Sequence, residues 1–246
     1  MHSVAFIAAR MGSERMPGKV LKELSGIPSL VHIFNILSGA KLLEDFIVVT
    51  TTLNEDDPIE QVCRENNVRC YRGSVHDVLD RFRIAAEEEK PDIIIRVTGD
   101  DPLMDPEIID KVIREHIEGG FDYSSNMIER TFPRGMDTEA IRYESLENTW
   151  KTTADKDDRE HVTLYIRRHP EKFKMHSVVR NEEPLDHIRL CLDTEEDFKL
   201  ISEIYNSIYE GEVITLDQVL KLLNEKPELL KLNEMISQKP VKGKIF

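Results

Sequence analysis

Residues 3–20 read SVAFIAARMGSERMPGKV, and this stretch decides the fold. A short apolar run, Val4–Ala9, breaks at once into a segment holding Arg10, Arg15 and Lys19 together with Gly12 and Gly18. Such a run, bounded by turn residues, reads as a strand buried on both faces. Two more runs of the same kind follow, Phe46–Thr51 and Ile93–Val97, with helical patterns near 28–39, 56–66, 76–89 and 105–118 between them. This alternation predicts an α/β fold, a mainly parallel central sheet with helices on both faces. In such sheets ligands sit outside the carboxyl ends of the strands, so the residues after Ala9 and after Val97 carry the chemistry.

The second half is less regular. Strands are expected at Phe121–Ser125 and Thr138–Arg142, helices near 143–153 and 158–168, and strand-like runs at 174–180 and 187–192. Residues 194–209 form an amphipathic pattern with Phe198, Ile201, Ile204, Tyr205 and Ile208 on one face. A helical tail over 215–237 is interrupted at Pro227. The reading is one domain over 1–210 with a C-terminal helical extension, 211–246.

Composition narrows the function. The 246 residues carry a formal charge of -14, which argues against nucleic acid or an anionic membrane as partner, since both require a broad excess of Lys and Arg. The three cysteines, Cys63, Cys70 and Cys191, lack paired metal-ligand spacing, and their odd number argues against a disulfide framework. The opening residues are too briefly apolar for a signal peptide or a span. A cytoplasmic protein is expected.

Against that acidic background the segment 10–22 holds four Lys or Arg and one Glu. Glycines let backbone N–H groups approach phosphate oxygens, Arg offers planar bidentate contacts and Lys a point charge, so the loop reads as a phosphate cradle. It is not a P-loop: five residues separate Gly12 from Gly18, and Val20 follows Lys19 where Ser or Thr is needed. No dinucleotide fingerprint follows the strand either.

The stretch FIAARMGSERMPGKVL resembles the signature loop of the CMP-sugar synthetases, written I-P-A-R-x-G-S-x-R-[LM]-P-G-K, the family of the CMP-KDO and CMP-N-acetylneuraminate synthetases. RGSVHDVLDRF, RVTGDDPLMDPEIID, PRGMDTEA, DREHVTLYIRRHPEKF and LDTEEDF are similar to the spore-coat polysaccharide cytidylyltransferase branch, and the likeness covers residues 3–209. The resemblance implies a Rossmann-like nucleotide-diphospho-sugar transferase fold, CTP as donor, an acidic sugar as acceptor, Mg²⁺ dependence and a homodimer. It places Arg10, Ser13, Arg15 and Lys19 on the phosphates of CTP, and the backbone of Ala8 and Ala9 against cytosine.

The run from Ile93 ends in Asp100 and Asp101 ahead of Pro102. Mg²⁺ takes hard oxygen ligands, one or two carboxylates plus phosphate oxygens, so Asp100 at a strand end opposite the cradle is a candidate ligand, with turn formation as the alternative. Asp105 ahead of Pro106 reads as a helix cap. Asp193 resembles the family's second acidic motif, where it completes the metal site; Cys191 stands where sialic-acid relatives carry a further Asp, and a thiol is a poor Mg²⁺ ligand. The alternative for Asp193 is decoration of a helix start, with Thr194 as its cap.

By resemblance the segment with Ser74, Asp77, Asp80 and Arg81 lies beside the nucleotide, although Asp77 also suits a helix cap. Arg96, on a buried strand, needs a partner or a ligand. Arg134, Arg159 and His161 are candidates for the sugar side, with Asp137 and Glu139 as acceptors for its hydroxyls. The function expected is transfer of CMP from CTP to an acidic sugar, a nonulosonic acid for surface polysaccharide. The alternatives are a transferase using another nucleotide and a catalytically silent nucleotide-sugar-binding subunit, which pyrophosphate release separates.

Overall fold

The computed structural model describes residues 1–237, and in it the apolar runs lie side by side. β1 (Ser3–Ala8) leads through the basic loop and a small hairpin, β2 (Glu23–Leu24) and β3 (Ile27–Pro28), into α1 (Ser29–Gly39). Next come β4 (Asp45–Thr51), α2 (Asp57–Glu65), β5 (Arg69–Gly73), α3 (Val78–Glu89), β6 (Ile93–Thr98) and α4 (Pro106–Gly119). The second half adds β7 (Tyr123–Ser125), β8 (Glu139–Arg142), α5 (Tyr143–Thr152), α6 (Lys156–His161) and α7 (Leu164–Arg168). It ends on β9 (Met175–Ser177), α8 (Glu195–Ile208) and α9 (Leu216–Glu225).

Seven strands form one sheet in the order β5-β4-β1-β6-β8-β7-β9. The β4–β5, β1–β4, β1–β6 and β7–β9 pairs are parallel, and β8 runs antiparallel to both its neighbours. Strand alternation divides the core. Ala5, Ile7, Ile93, Ile95 and Val97 face α1, α2 and α4; Val4, Phe6, Ile47, Val49 and Ile94 face α3, α5 and α7. Each large side chain so buried contributes about 1.5–3 kcal/mol, which is why these runs contain no break.

A third apolar cluster joins α8 and α9 to the body: Leu200, Ile201, Ile204 and Tyr205 meet Leu216, Val219 and Leu222, and Met16 of the basic loop enters the same cluster. Residues 211–237 of the expected extension thus pack on α8, while 238–246 lie outside the described residues. Capping boxes, Thr194 with Asp197 and Thr215 with Gln218, fix the starts of α8 and α9. None of the described helices is long and apolar enough to cross a membrane.

Two expectations are corrected. The run 187–192 is not a strand; it makes a single bridge, Arg134 to Arg189, because the Arg189 side chain turns to Asp193 and Asp197. The helix expected over 158–168 is broken at Val162, whose φ of 55° and ψ of -59° form a γ-turn closed by the Thr163 N–H donating to His161 O.

After β1 the chain moves to β4 and β5 on one side, then returns to place β6 on the other, so the crevice opens between the ends of β1 and β6. Gly99 lets the loops meet there: its N–H donates to Ala8 O at 2.9 Å, and a Cβ would lie 2.9 Å from that of Ala9. Gly135, at φ +95°, lies against the 190–191 backbone, where a Cβ would come within 2.4 Å of the Leu190 carbonyl carbon. Gly211 has a similar φ, +100°, in open space. Gly211→Ala should therefore cost about 1 kcal/mol by chemical denaturation, a conformational term alone. Gly135→Ala should cost at least about 3 kcal/mol, because backbone must move as well. Equal losses would show that the close approach at Gly135 is not needed.

Candidate active site

The basic loop is pinned at two points and displays what lies between. The Met11 N–H donates to Asp56 Oδ1 at 2.6 Å, and Asp56 also accepts the Thr51 hydroxyl. Met11 O accepts from Ser13 N (3.0 Å) and Gly18 N (2.9 Å), closing the loop on itself. Met16, 1% exposed, anchors the far side in the third cluster.

Lys19 then reaches across the crevice. Its ammonium donates to Asp100, after β6, and to Asp193 Oδ1 at 2.7 Å, ahead of α8. Asp193 Oδ2 also accepts from Arg15 at 2.9 Å and Arg189 at 3.0 Å. Arg189 is held in turn by the fully buried Asp197 at 2.9 Å, to which Asn233 Nδ2 also donates at 2.9 Å. Burial by itself would raise the Asp193 carboxyl; Lys19, Arg15 and Arg189 outweigh it and hold the pKa at about 2. Burial would likewise lower the Lys19 ammonium, yet the two carboxylates hold it above its ordinary value. Asp101 differs from its neighbour: burial and the charge of Asp100 push its carboxyl well up, and it accepts the Thr98 hydroxyl at 2.7 Å.

These groups border a cleft of about 700 Å³. Of the residues expected from the sequence, Ala8, Ala9, Arg10, Ser13, Arg15, Lys19, Arg81, Arg96, Asp100, His161 and Asp193 line it. Arg81 is 5% exposed, and its Nε and Nη1 have no partner among the described residues. Burial and the like charge of Arg10 lower its pKa to about 10. A buried guanidinium with unspent donors beside a second cation is a site that favours an anion.

Seven expected residues lie outside this lining, and most are held by other groups, Asp80 by Arg83 at 3.2 Å. Asp77 caps α3 through the Asp80 N–H and accepts from Arg159, whose Nη1 donates to Trp150 O at 3.0 Å. Ser74 Oγ accepts the Asp77 N–H at 3.1 Å. Asp137 is clamped by Arg130 at 2.6 and 2.9 Å. Arg134 contributes its backbone to the bridge with Arg189. Glu139, expected to accept sugar hydroxyls, is 1% exposed and is bonded by Arg96 and by the Tyr123 hydroxyl at 2.6 Å. Asp105 is the α4 cap, as its Asp-Pro pattern implies.

Sequence reading missed Val75, His76 and Val78 on the cleft wall, and Asp56, Arg189, Asp197 and Asn233 behind it. Arg189 did leave a signal, a charge between Ile188 and Leu190 in an apolar run. Nothing in the local pattern marks Asn233.

A mostly parallel sheet with a basic, glycine-bearing loop at its switch point and carboxylates opposite defines a Rossmann-like nucleotidyltransferase. Comparison with known proteins narrows the class. The family model for cytidylyltransferases matches residues 4–226, and the chain belongs to that family. It is 36% identical to the spore coat polysaccharide biosynthesis protein of Bacillus subtilis over 235 residues, 93% of this chain and 97% of the relative. A cytidylyltransferase structure from Leptospira borgpetersenii superposes with a TM-score of 0.90 at 31% identity, covering 97% of this chain and 100% of the other. A 3-deoxy-manno-octulosonate cytidylyltransferase of Trichlorobacter lovleyi is 37% identical over 114 residues, 46% of this chain and 44% of the relative.

The depressed carboxyl gives a stability test. A folded-state pKa of about 2 against an ordinary 3.8 means that Asp193 stabilises the fold above pH ~4, and that the contribution disappears as pH falls toward 2. Asp193→Asn should be less stable at pH 7 by about 2 kcal/mol, and the gap should close between pH 4 and 2. A gap independent of pH would refute the ion-cluster account.

Proposed function

We propose that this cytidylyltransferase transfers CMP from CTP to a hydroxyl of an acidic sugar, a nonulosonic acid destined for surface polysaccharide, and releases pyrophosphate. The observation that carries the reading is the pairing of Lys19 with Asp100 and Asp193 beside the unspent cation Arg81, all facing one cleft. The names of two relatives support the acceptor class: one acts on an octulosonate, the other in spore coat polysaccharide biosynthesis.

Arg10, Ser13, Arg15 and Lys19 hold the triphosphate, with the backbone of Ala8 and Ala9 against the base. The acceptor oxygen bonds to the α-phosphorus, the bond from that phosphorus to the bridging oxygen of the β-phosphate breaks, and the hydroxyl proton is released. The protein's part is to align the two oxygens and to meet the growing charge with fixed cations.

The residues fit Mg²⁺. Two carboxylates converge on one ammonium, a hard-oxygen pair of the kind Mg²⁺ uses with phosphate oxygens and water. The described residues hold no cluster of three or more His, Cys, Asp or Glu suited to an all-protein cage. Burial keeps the Cys191 thiol protonated and unsuited to the ion. Asp100 and Asp193 would hold Mg²⁺, which when bound neutralises phosphate charge. We read the protein further as a cytoplasmic homodimer, as its family likeness implies.

Pyrophosphate release tests the function directly: CTP with a panel of sugar acids should give turnover, and UTP at least ~10-fold less, since only cytosine brings the exocyclic donor. Equal rates with UTP would defeat the cytidine reading. Arg10 is exposed, so Arg10→Ala should weaken CTP binding by ~10-fold or more without changing thermal stability. Asp100→Asn should lower kcat by at least ~10²-fold across a Mg²⁺ titration, whereas Cys191→Ser should stay near wild type. Near-wild-type rates in Asp100→Asn would refute its metal role.

A further inference from the structure

Below the phosphate cradle the cleft wall carries a second, separate charge. Arg96 pairs in register with Phe6 of β1, two residues before Thr98 pairs with Ala8, so it lies down the strand from the loop that begins at Arg10. It lines the cleft with His161, and Glu160 is adjacent. Its Nη1 donates to Glu139 Oε1, and its Nε, buried, has no partner among the described residues. Glu139 is already engaged by the Tyr123 hydroxyl and also faces Arg167, whose Nε is a second buried donor without a partner among the described residues. Two guanidiniums therefore flank one buried carboxylate, and Glu139 alone does not use the donors of both.

We infer that Arg96, oriented by Glu139, is the group that receives the carboxylate of the acceptor sugar. The inference rests on the acidic-sugar reading of the same cleft. With Nη1 held by Glu139 and Nε buried, the guanidinium meets the cleft by its remaining terminal donors, where a carboxylate accepts from a planar cation already fixed in place. The surroundings suit a singly charged, hydroxylated ligand better than a triphosphate. Burial and the nearby Arg96 and Arg167 lower the His161 pKa against the opposing charge of Glu160, so the imidazole is neutral at pH 7 and hydrogen-bonds without adding charge. The γ-turn at Val162, whose side chain is fully buried, fixes His161 at the cleft wall. Glu139 is the positioning residue: buried and ionised beside two cations, it sets the guanidinium plane.

The test uses the full chain with CTP, Mg²⁺ and three acceptor probes: 3-deoxy-manno-octulosonate, N-acetylneuraminate and glucose 1-phosphate. For the sugar acid that turns over, Arg96→Lys should raise the acceptor KM by at least ~30-fold and leave the CTP KM within about twofold, because a point charge lacks the fixed fork that spans Glu139 and the acceptor carboxylate. Its melting temperature should hold, since an ammonium still faces Glu139. The C1 amide of the same acid should lose a similar factor with the wild type and little more with the variant. If Arg96→Lys proves unstable, the double variant Arg96→Gln with Glu139→Gln removes both buried partners, and its acceptor KM must still rise selectively. Turnover of an acid with an unchanged acceptor KM, or a rise in the CTP KM instead, overturns the carboxylate site and leaves the function standing. Turnover of glucose 1-phosphate alone, or of no acid at all, overturns both.

Discussion

The arrangement of the site depends on one ammonium. Lys19 comes from the loop after β1, Asp100 from the loop after β6 and Asp193 from the approach to α8, and they meet only because the sheet lays β1 beside β6 and the third cluster carries α8 over their ends. Taking three charges from water is costly, and the mutual attraction offsets that cost only where geometry is good and the remaining lone pairs are used. Here the second oxygen of Asp193 is used by Arg15 and Arg189, and Arg189 by Asp197. The cluster is thus a closed chain of partners, and the carboxylates face the cleft in a fixed orientation.

Around that cluster, loops are held by backbone more than by length. Gly99 and Gly135 bring segments to contacts that a side chain would block, and Asp56 converts the exit from β1 into a tight turn. The γ-turn at Val162 has the same character, a β-branched residue at positive φ offset by complete burial of its side chain. Gly99 and Val162 place close approach and strain beside cleft residues, while the helices that cover the sheet follow ordinary patterns.

That division also explains what was legible in the sequence. Strands β1, β4 and β6 and helices α1 to α4 were readable because each is an unbroken apolar run or a clean 3.6-residue pattern between turn residues, and the basic loop because its charge stands out in an acidic chain. The run 187–192 misled because its alternation resembles a strand, while Arg189 is diverted into ion pairs that no local pattern encodes. Glu139 misled similarly: a carboxylate at a strand start suggests a ligand acceptor, yet its register against Arg96 buries it. Asp77 and Arg159 each had a plausible ligand role and instead hold each other at 2.5 Å across 82 residues. Local chemistry names the side chains with something to give; which of them face the cleft is a property of strand register and helix packing.

Asn233 stands near the end of the described chain and donates to Arg189 O at 3.0 Å and to Asp197, the groups that orient Asp193. The site is therefore assembled from residues as far apart in sequence as Arg15 and Asn233. During synthesis the first strands of the sheet can form early, but the network behind Asp193 stays incomplete until residue 233 has left the ribosome. The basic loop waits with it, because Met16, Arg15 and Lys19 find their partners in the last third of the chain.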